Sequence, residues 1–271
     1  MRKNCVSYGE PLKKDLMVGK EKLDYKIETK SSTEQVQHWE KLYDLFRNRP
    51  MTDDHLLVSL GLFMRSSALA KILFVNELFE RIKDIPGIIV EFGTWWGQNI
   101  VLFENLRAIY EPFNPSRRIV GFDTFQGYTG FSEKDRENDF INEGAHRVSS
   151  DYKSYLEELL QFHEKNNVLG NIRKHELIEG NVIETAPKFF KENPGTIVAL
   201  AYFDIALYDP TKAGLLAIKP HLIPGSVLLL DEFNSSDAPG ETIAFREVFA
   251  DTKYTIHKSK YITDRSIVTI Q

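Results

Sequence analysis

The stretch I-I-V-E-F-G-T-W-W-G-Q-N, residues 88–99, decides the fold. A short apolar run ends at Glu91 and Phe92, Gly93 and Gly97 bracket a tight turn, and Gln98 opens a segment of helical length. Strand, glycine turn and helix in that order open a parallel strand–helix–strand unit. A dinucleotide-binding loop would read G-x-G-x-x-G, its second glycine letting the backbone approach a pyrophosphate. Trp95 stands at that position, and an indole there obstructs a diphosphate. The remaining turn into a helix N-terminus suits a ligand whose anionic part is a carboxylate.

Outward from this stretch the pattern repeats. Apolar runs at 118–122, 175–179, 197–203 and 226–230 read as strands buried on both faces, and 98–110, 152–169, 183–191 and 211–219 have helical length or spacing. The expected fold is an α/β, Rossmann-like, mostly parallel sheet with helices on both faces. K-Y-T-I-H and S-I-V-T-I near the end, separated by a short turn, supply an antiparallel edge hairpin. Upstream, Thr52 and Asp53 open a helical tract that runs to Ile82 and stops before Pro86 and Gly87. The domain therefore spans 51–271, with N-terminal helices at 51–86. Residues 124–150 are too long and polar for a plain crossover and read as a lid or substrate loop. Residues 1–50 are polar, with an apolar period only at Trp39, Leu42 and Leu45, and read as an arm that packs late or against another subunit, in a dimer or tetramer.

Composition narrows the function. The chain has 271 residues, 42% of them hydrophobic, enough for a large core. Its 34 basic and 39 acidic residues leave a net charge of -5 without a block of like charge, which argues against a nucleic-acid or membrane partner and for small-molecule chemistry. Cys5 is the single cysteine and the N-terminus lacks the apolar core of a signal peptide, so a cytoplasmic protein is expected.

In open parallel sheets ligands sit at the carboxyl ends of the strands, where the strand order reverses. Asp123, at the end of G-F-D-T-F-Q-G, can accept both ribose hydroxyls of an adenosine or simply cap a turn with Gly127. Gly180, Asn181 and Val182 can line an adenine edge or lead into the next helix. Asp204 ends the fourth strand, and Asp231 and Glu232 end the fifth. Carboxylates converging there repel unless something cationic sits among them, and a hard divalent ion such as Mg²⁺ prefers oxygen ligands. The other reading keeps Asp204 alone as a base, with Asp231 and Glu232 capping a turn. None of the seven histidines shows the spacing of a zinc site or a triad, and His146 reads as solvated or structural. No G-x-S-x-G elbow supports a covalent hydrolase.

With these segments in place, the chain resembles the macrocin O-methyltransferase family, class I S-adenosylmethionine-dependent enzymes that methylate sugar hydroxyls of natural products. E-F-G-x-W-x-G, G-F-D-T-F-x-G, D-x-x-L-Y-x-P-T-x-x-x-L and P-G-x-x-x-x-D-(D/E) follow in order at 91–97, 121–127, 204–215 and 224–232. The resemblance implies that the methionine end of the cofactor lies near Glu91, Gly93, Thr94 and Gly97, with Asn99 adjoining. It puts the ribose on Asp123, beside Thr124, and the adenine near Gly180, Asn181 and Val182. Arg65, on the helix before the first strand, would reach the cofactor carboxylate or the lid. Asp204, Asp231 and Glu232 would hold Mg²⁺, with Asp204 doubling as general base toward a sugar or glycoside hydroxyl. Two positions depart from the pattern: Ala206 stands where the family often has a second acid, and Glu232 where Asp is common. The rival readings are a non-catalytic adenosyl-ligand-binding protein, an N-methyltransferase and, against Trp95, a nicotinamide oxidoreductase.

Overall fold

The computed structural model describes residues 32–271; Cys5 and the first 31 residues of the expected arm lie outside the described residues. The arm's remainder is largely helix α1 (Thr33–Arg47), opened by a reciprocal pair in which the Ser32 hydroxyl accepts from the Gln35 backbone and the Gln35 side chain accepts from Ser32. The tract read as one helix is three pieces: α2 (Asp53–Val58), a 3₁₀ turn (Leu60–Phe63) and α3 (Ser66–Ile82). Ser59 and Gly61 are weak helix formers, and Arg65 is extended, so the chain re-enters the helix only at Ser66.

The sheet follows: β1 (Ile88–Phe92), α4 (Gln98–Tyr110), β2 (Ile119–Asp123), α5 (Tyr152–Asn166), β3 (His175–Glu179), α6 (Val182–Glu192), β4 (Val198–Phe203), α7 (Tyr208–Ile218), β5 (Leu222–Leu230), α8 (Gly240–Val248), β6 (Tyr254–Lys258) and β7 (Ser266–Ile270). Strand order is β3-β2-β1-β4-β5-β7-β6. The first five strands are parallel, and β7 runs antiparallel between β5 and β6. The chain thus leaves β1 toward β2 and returns to β4 on β1's other side, which opens a crevice at their tips. Helix α8 has no counterpart in the sequence reading.

Strand residues alternate between two cores. Val90, Phe92, Val120 and Phe203 join the face covered by α6, α7 and α8, whereas Ile89, Ile119, Leu200 and Tyr202 join the face covered by α3, α4 and α5. Phe92 stacks between Phe122 and Phe203, with ring centroids 5.0 and 4.5 Å apart, and forms a stiff aromatic floor directly under the Gly93 turn. The 124–150 segment lies over the tips of β4 and β5. Ile141 packs with Ala206, Leu207 and Ala238, and Asp135 accepts the Tyr208 backbone N–H at 2.7 Å.

Candidate active site

The glycine turn is built by necessity. Gly93 has φ +91°, and a Cβ there would lie 2.1 Å from the Asp204 carbonyl oxygen; Gly97 has φ +78°, and its Cβ would strike Leu156. A side chain at either position would push apart the tips of β1 and β4 or lift α4 off α5. Between them Trp95 and Trp96 diverge. Trp95 holds φ +48°, lines the cleft and meets the His146 ring edge-on at 5.0 Å. Trp96 packs toward α5, against the Tyr152 ring at 4.7 Å, and its carbonyl accepts the Tyr152 hydroxyl.

The cleft itself, about 160 Å³, is lined by Gly93, Trp95, Asp123, Thr124, Asn181, Val182 and Asp204 together with Tyr128, His146 and Leu207. Asp123 is fixed at its floor: Oδ2 accepts the Trp95 N–H and Oδ1 the Phe125 N–H, both at 2.6 Å. Burial raises its pKa, and those N–H groups oppose the rise. Asn181 caps α6 by accepting the Ile183 N–H, so its side chain serves the helix while its residue lines the cleft; Gly180 shapes the turn before it with φ +132°. Behind the glycine turn lie Glu91, Thr94 and Asn99, all buried. Asn99 donates to Glu91 Oε1 at 2.8 Å, yet Glu91 Oε2, Thr94 Oγ1 and Asn99 Oδ1 have no partner. Burial, chiefly, pushes Glu91 up to about 8. These three residues do not line the cleft, so the orphaned atoms sit behind the turn that does. Arg65 stands apart, its guanidinium 3.7 Å over the Trp39 ring of α1.

A second, wider basin of about 1010 Å³ adjoins the cleft, lined by Asp204, Asp231, Glu232, Asn138, Lys258 and Arg265 among others. Tyr128, His146 and Asp204 border both spaces. Asp204 is pushed up to about 7 by burial first and by Asp231 second, with Lys71 and Arg265 pulling the other way. Asp231 has both oxygens engaged by one guanidinium: Arg265 Nε reaches Oδ1 and Nη2 reaches Oδ2, each at 2.8 Å. Tyr202 also donates to Oδ1 at 3.1 Å and itself accepts from Lys71 Nζ at 2.6 Å. Glu241, buried on α8, accepts the backbone N–H groups of Ala206 and Glu232 and so ties together the loops after β4 and β5.

Several of these groups lie outside the sequence reading. His146, read as solvated or structural, stands at the border of both spaces. Lys71, Tyr202, Glu241 and Arg265 went unnoticed, although a lone lysine in A-L-A-K-I-L-F-V was a signal. As for a divalent ion, Asp204 and Glu232 offer carboxylates to the basin, and Asp231 offers one already paired with arginine. Among the described residues the acid and histidine trio whose ligand atoms come within 4.8 Å of one another is instead Glu104, Glu164 and His175, on the far side of β2.

Sheet order, crevice and acid-tipped strands define a class I methyltransferase. No family model and no curated protein matches the chain. Among solved structures it is similar to CalS11, a calicheamicin methyltransferase, with 37% identity and a TM-score of 0.84 over 89% of this chain and 94% of that one. An apo structure described as CalS11, a TDP-rhamnose 3'-O-methyltransferase, matches at 36% identity and TM-score 0.78 over 89% and 96%. The O-methyltransferase NovP shares the fold at 17% identity and TM-score 0.52, over 74% and 80%. The chain belongs to the macrocin-type sugar O-methyltransferase family and is an S-adenosylmethionine-dependent methyltransferase.

Proposed function

We propose that the protein methylates a sugar hydroxyl of a natural product or glycoside. The observation that carries this reading is the place of Asp204, which among the described residues is the carboxyl that borders both the cleft and the open acidic basin. In this reading the cofactor's ribose rests on Asp123, its adenine lies against Asn181 and Val182, and its methionine end lies near Gly93, Gly97, Thr94 and Glu91, with Asn99 holding Glu91 in place. Bound S-adenosylmethionine supplies an electrophilic methyl on a sulfonium, which the acceptor oxygen takes by in-line displacement. Asp204, with a pKa brought near neutrality, takes the hydroxyl proton. The 124–150 segment orients the sugar through Tyr128 and His146 and keeps bulk water from the reacting oxygen. A divalent ion, when bound, would be held by Asp204, Asp231 and Glu232 and would polarise the same hydroxyl.

Two further parts of the reading concern the surroundings. Leu57, Val58 and Leu62 on the N-terminal helical pieces are exposed, as is Leu45 on α1, which supports a homo-oligomer formed through this face. Sedimentation of the full chain as a monomer at all concentrations would end that part. Among the described residues no helix is long and apolar enough to cross a membrane, and the reading places the enzyme in the cytoplasm. The function is tested by calorimetry with S-adenosylhomocysteine and by methyl transfer to a panel of free, glycosidic and nucleotide-linked sugars. Binding with turnover on a sugar hydroxyl is expected. Binding without any turnover would favour a non-catalytic adenosyl-binding protein, and transfer only to amines an N-methyltransferase.

A further inference from the structure

The acid cluster at the tips of β4 and β5 already contains a cation that belongs to the protein. Arg265 meets Asp231 in a two-pronged pair at 2.8 and 2.8 Å, the geometry in which guanidinium and carboxylate bind each other best. The arginine is not a drifting surface residue. It ends the turn between β6 and β7, where its backbone N–H donates to the Ile262 carbonyl and its carbonyl accepts from the Ser259 N–H. Ser259 in turn donates its hydroxyl to buried Glu77 of α3 at 2.8 Å. The Tyr202 hydroxyl approaches Asp231 Oδ1 from the sheet side. A hard cation that took Asp231 as an inner ligand would need an oxygen lone pair on the open side, next to a fixed positive charge.

We propose that Arg265 and a divalent cation are alternative counter-ions of Asp231, so that the metal enters this site only by displacing the guanidinium. The inference rests on the proposed use of Asp204, Asp231 and Glu232 as the metal's ligands. It assigns to Arg265 a positioning role: it holds Asp231 in place and offsets that carboxylate's charge when no metal is there. An acid trio without such a built-in cation would bind Mg²⁺ or Mn²⁺ more tightly.

Mn²⁺ binding to the full-length protein, followed by the loss of the free-ion paramagnetic resonance signal, tests the idea. Arg265→Gln should bind Mn²⁺ at least tenfold more tightly than the wild type, and Arg265→Lys, which keeps the charge but loses the fork, should gain less. Adding Asp231→Asn to Arg265→Gln should abolish the gain. Equal Mn²⁺ affinity in wild type and Arg265→Gln, including no binding to either, would overturn the proposal. S-adenosylhomocysteine affinity, measured alongside, checks that each variant is folded. It also separates the two claims: wild-type protein that fails to bind this ligand counts against the methyl-transfer reading, whereas the Mn²⁺ comparison alone decides the competition.

Discussion

Two clusters of buried charge in this molecule obey the same electrostatics with opposite results. Beneath β3, Glu164 accepts from Lys174 Nζ at 2.6 Å, Arg107 Nη2 at 2.8 Å and the Lys174 backbone, and its Oε2 lies 2.7 Å from His175 Nδ1. Glu104 completes the group beside Arg107. Acids and cations there match, and hydrogen bonds from His175 and Lys174 hold Glu164 down at about 2 against the effect of burial. At the crevice, Glu91, Asp204, Asp231, Glu232 and Glu241 share Lys71 and Arg265, with Lys258 also lining the basin, and orphaned atoms remain around Glu91. The first cluster is nearly filled and serves the fold: Glu104 Oε2 alone in it lacks a hydrogen bond, 3.6 Å from His175 Nδ1, and burial, chiefly, pushes Glu104 up to about 7. The second is left short of positive charge, as suits a place that receives a sulfonium, an ammonium or a metal. An acid and histidine trio with metal-like spacing is therefore a poor guide when arginine and lysine already occupy it.

The largest loss is expected at the cluster beneath β3. Glu164→Ala leaves Arg107 and Lys174 buried without their carboxylate and should cost roughly 3–5 kcal/mol, read by chemical denaturation. A loss below 1 kcal/mol would mean that the cluster is not the buried structural knot described. Next in size is Asp123→Ala on the open side. It removes the acceptor that faces the cleft and should weaken S-adenosylhomocysteine by roughly 10- to 100-fold; unchanged affinity would move the ribose elsewhere.

A change spread over several pH units follows from Glu91. Glu91 in the free protein keeps its proton up to about 8, while in the unfolded chain it ionises near 4.5. Its contribution to stability is therefore complete below pH 4.5 and is lost as pH rises toward 8, at up to roughly 1.4 kcal/mol per pH unit. Glu91→Gln should flatten that decline in denaturation midpoints, and an equally steep decline in the variant would show that Glu91 is ionised in the free protein. The smallest change is expected from Trp95→Ala. The indole is 40% exposed, so stability should stay within about 0.5 kcal/mol of wild type, with a modest loss of cofactor affinity. A large destabilisation would show Trp95 to be a packing residue.

The strand tips were legible because parallel sheets present their ligand-binding residues at predictable places. Asp123, Asp204, Asp231 and Glu232 could be named from an apolar run followed by an acid. The two tryptophans were legible as bulky residues in a turn where small ones are usual, and the structure adds that Trp95 faces the cleft while Trp96 turns to Tyr152. What escaped were partners distant in sequence. Lys71 reaches Tyr202 across 131 residues, Arg265 reaches Asp231 across 34, and Glu241 reaches back to the Ala206 backbone across 35. No local pattern reports such pairings, because the docking of α3, α8 and the β6–β7 turn creates them. The three-piece break in the N-terminal helical tract was foreshadowed only weakly, by Ser59 and Gly61. The contact of Arg65 with the Trp39 ring is of the same kind, made to a helix 26 residues away in sequence.

In the proposed reaction Asp204 takes the acceptor's proton at the border of the cleft and the basin. Asp204→Asn tests it most directly, by measuring methyl transfer to a sugar acceptor and S-adenosylhomocysteine affinity in the same preparation. Turnover should fall by roughly 10²- to 10⁴-fold, with cofactor affinity within a few-fold of wild type. Turnover retained at near wild-type rate would contradict the account.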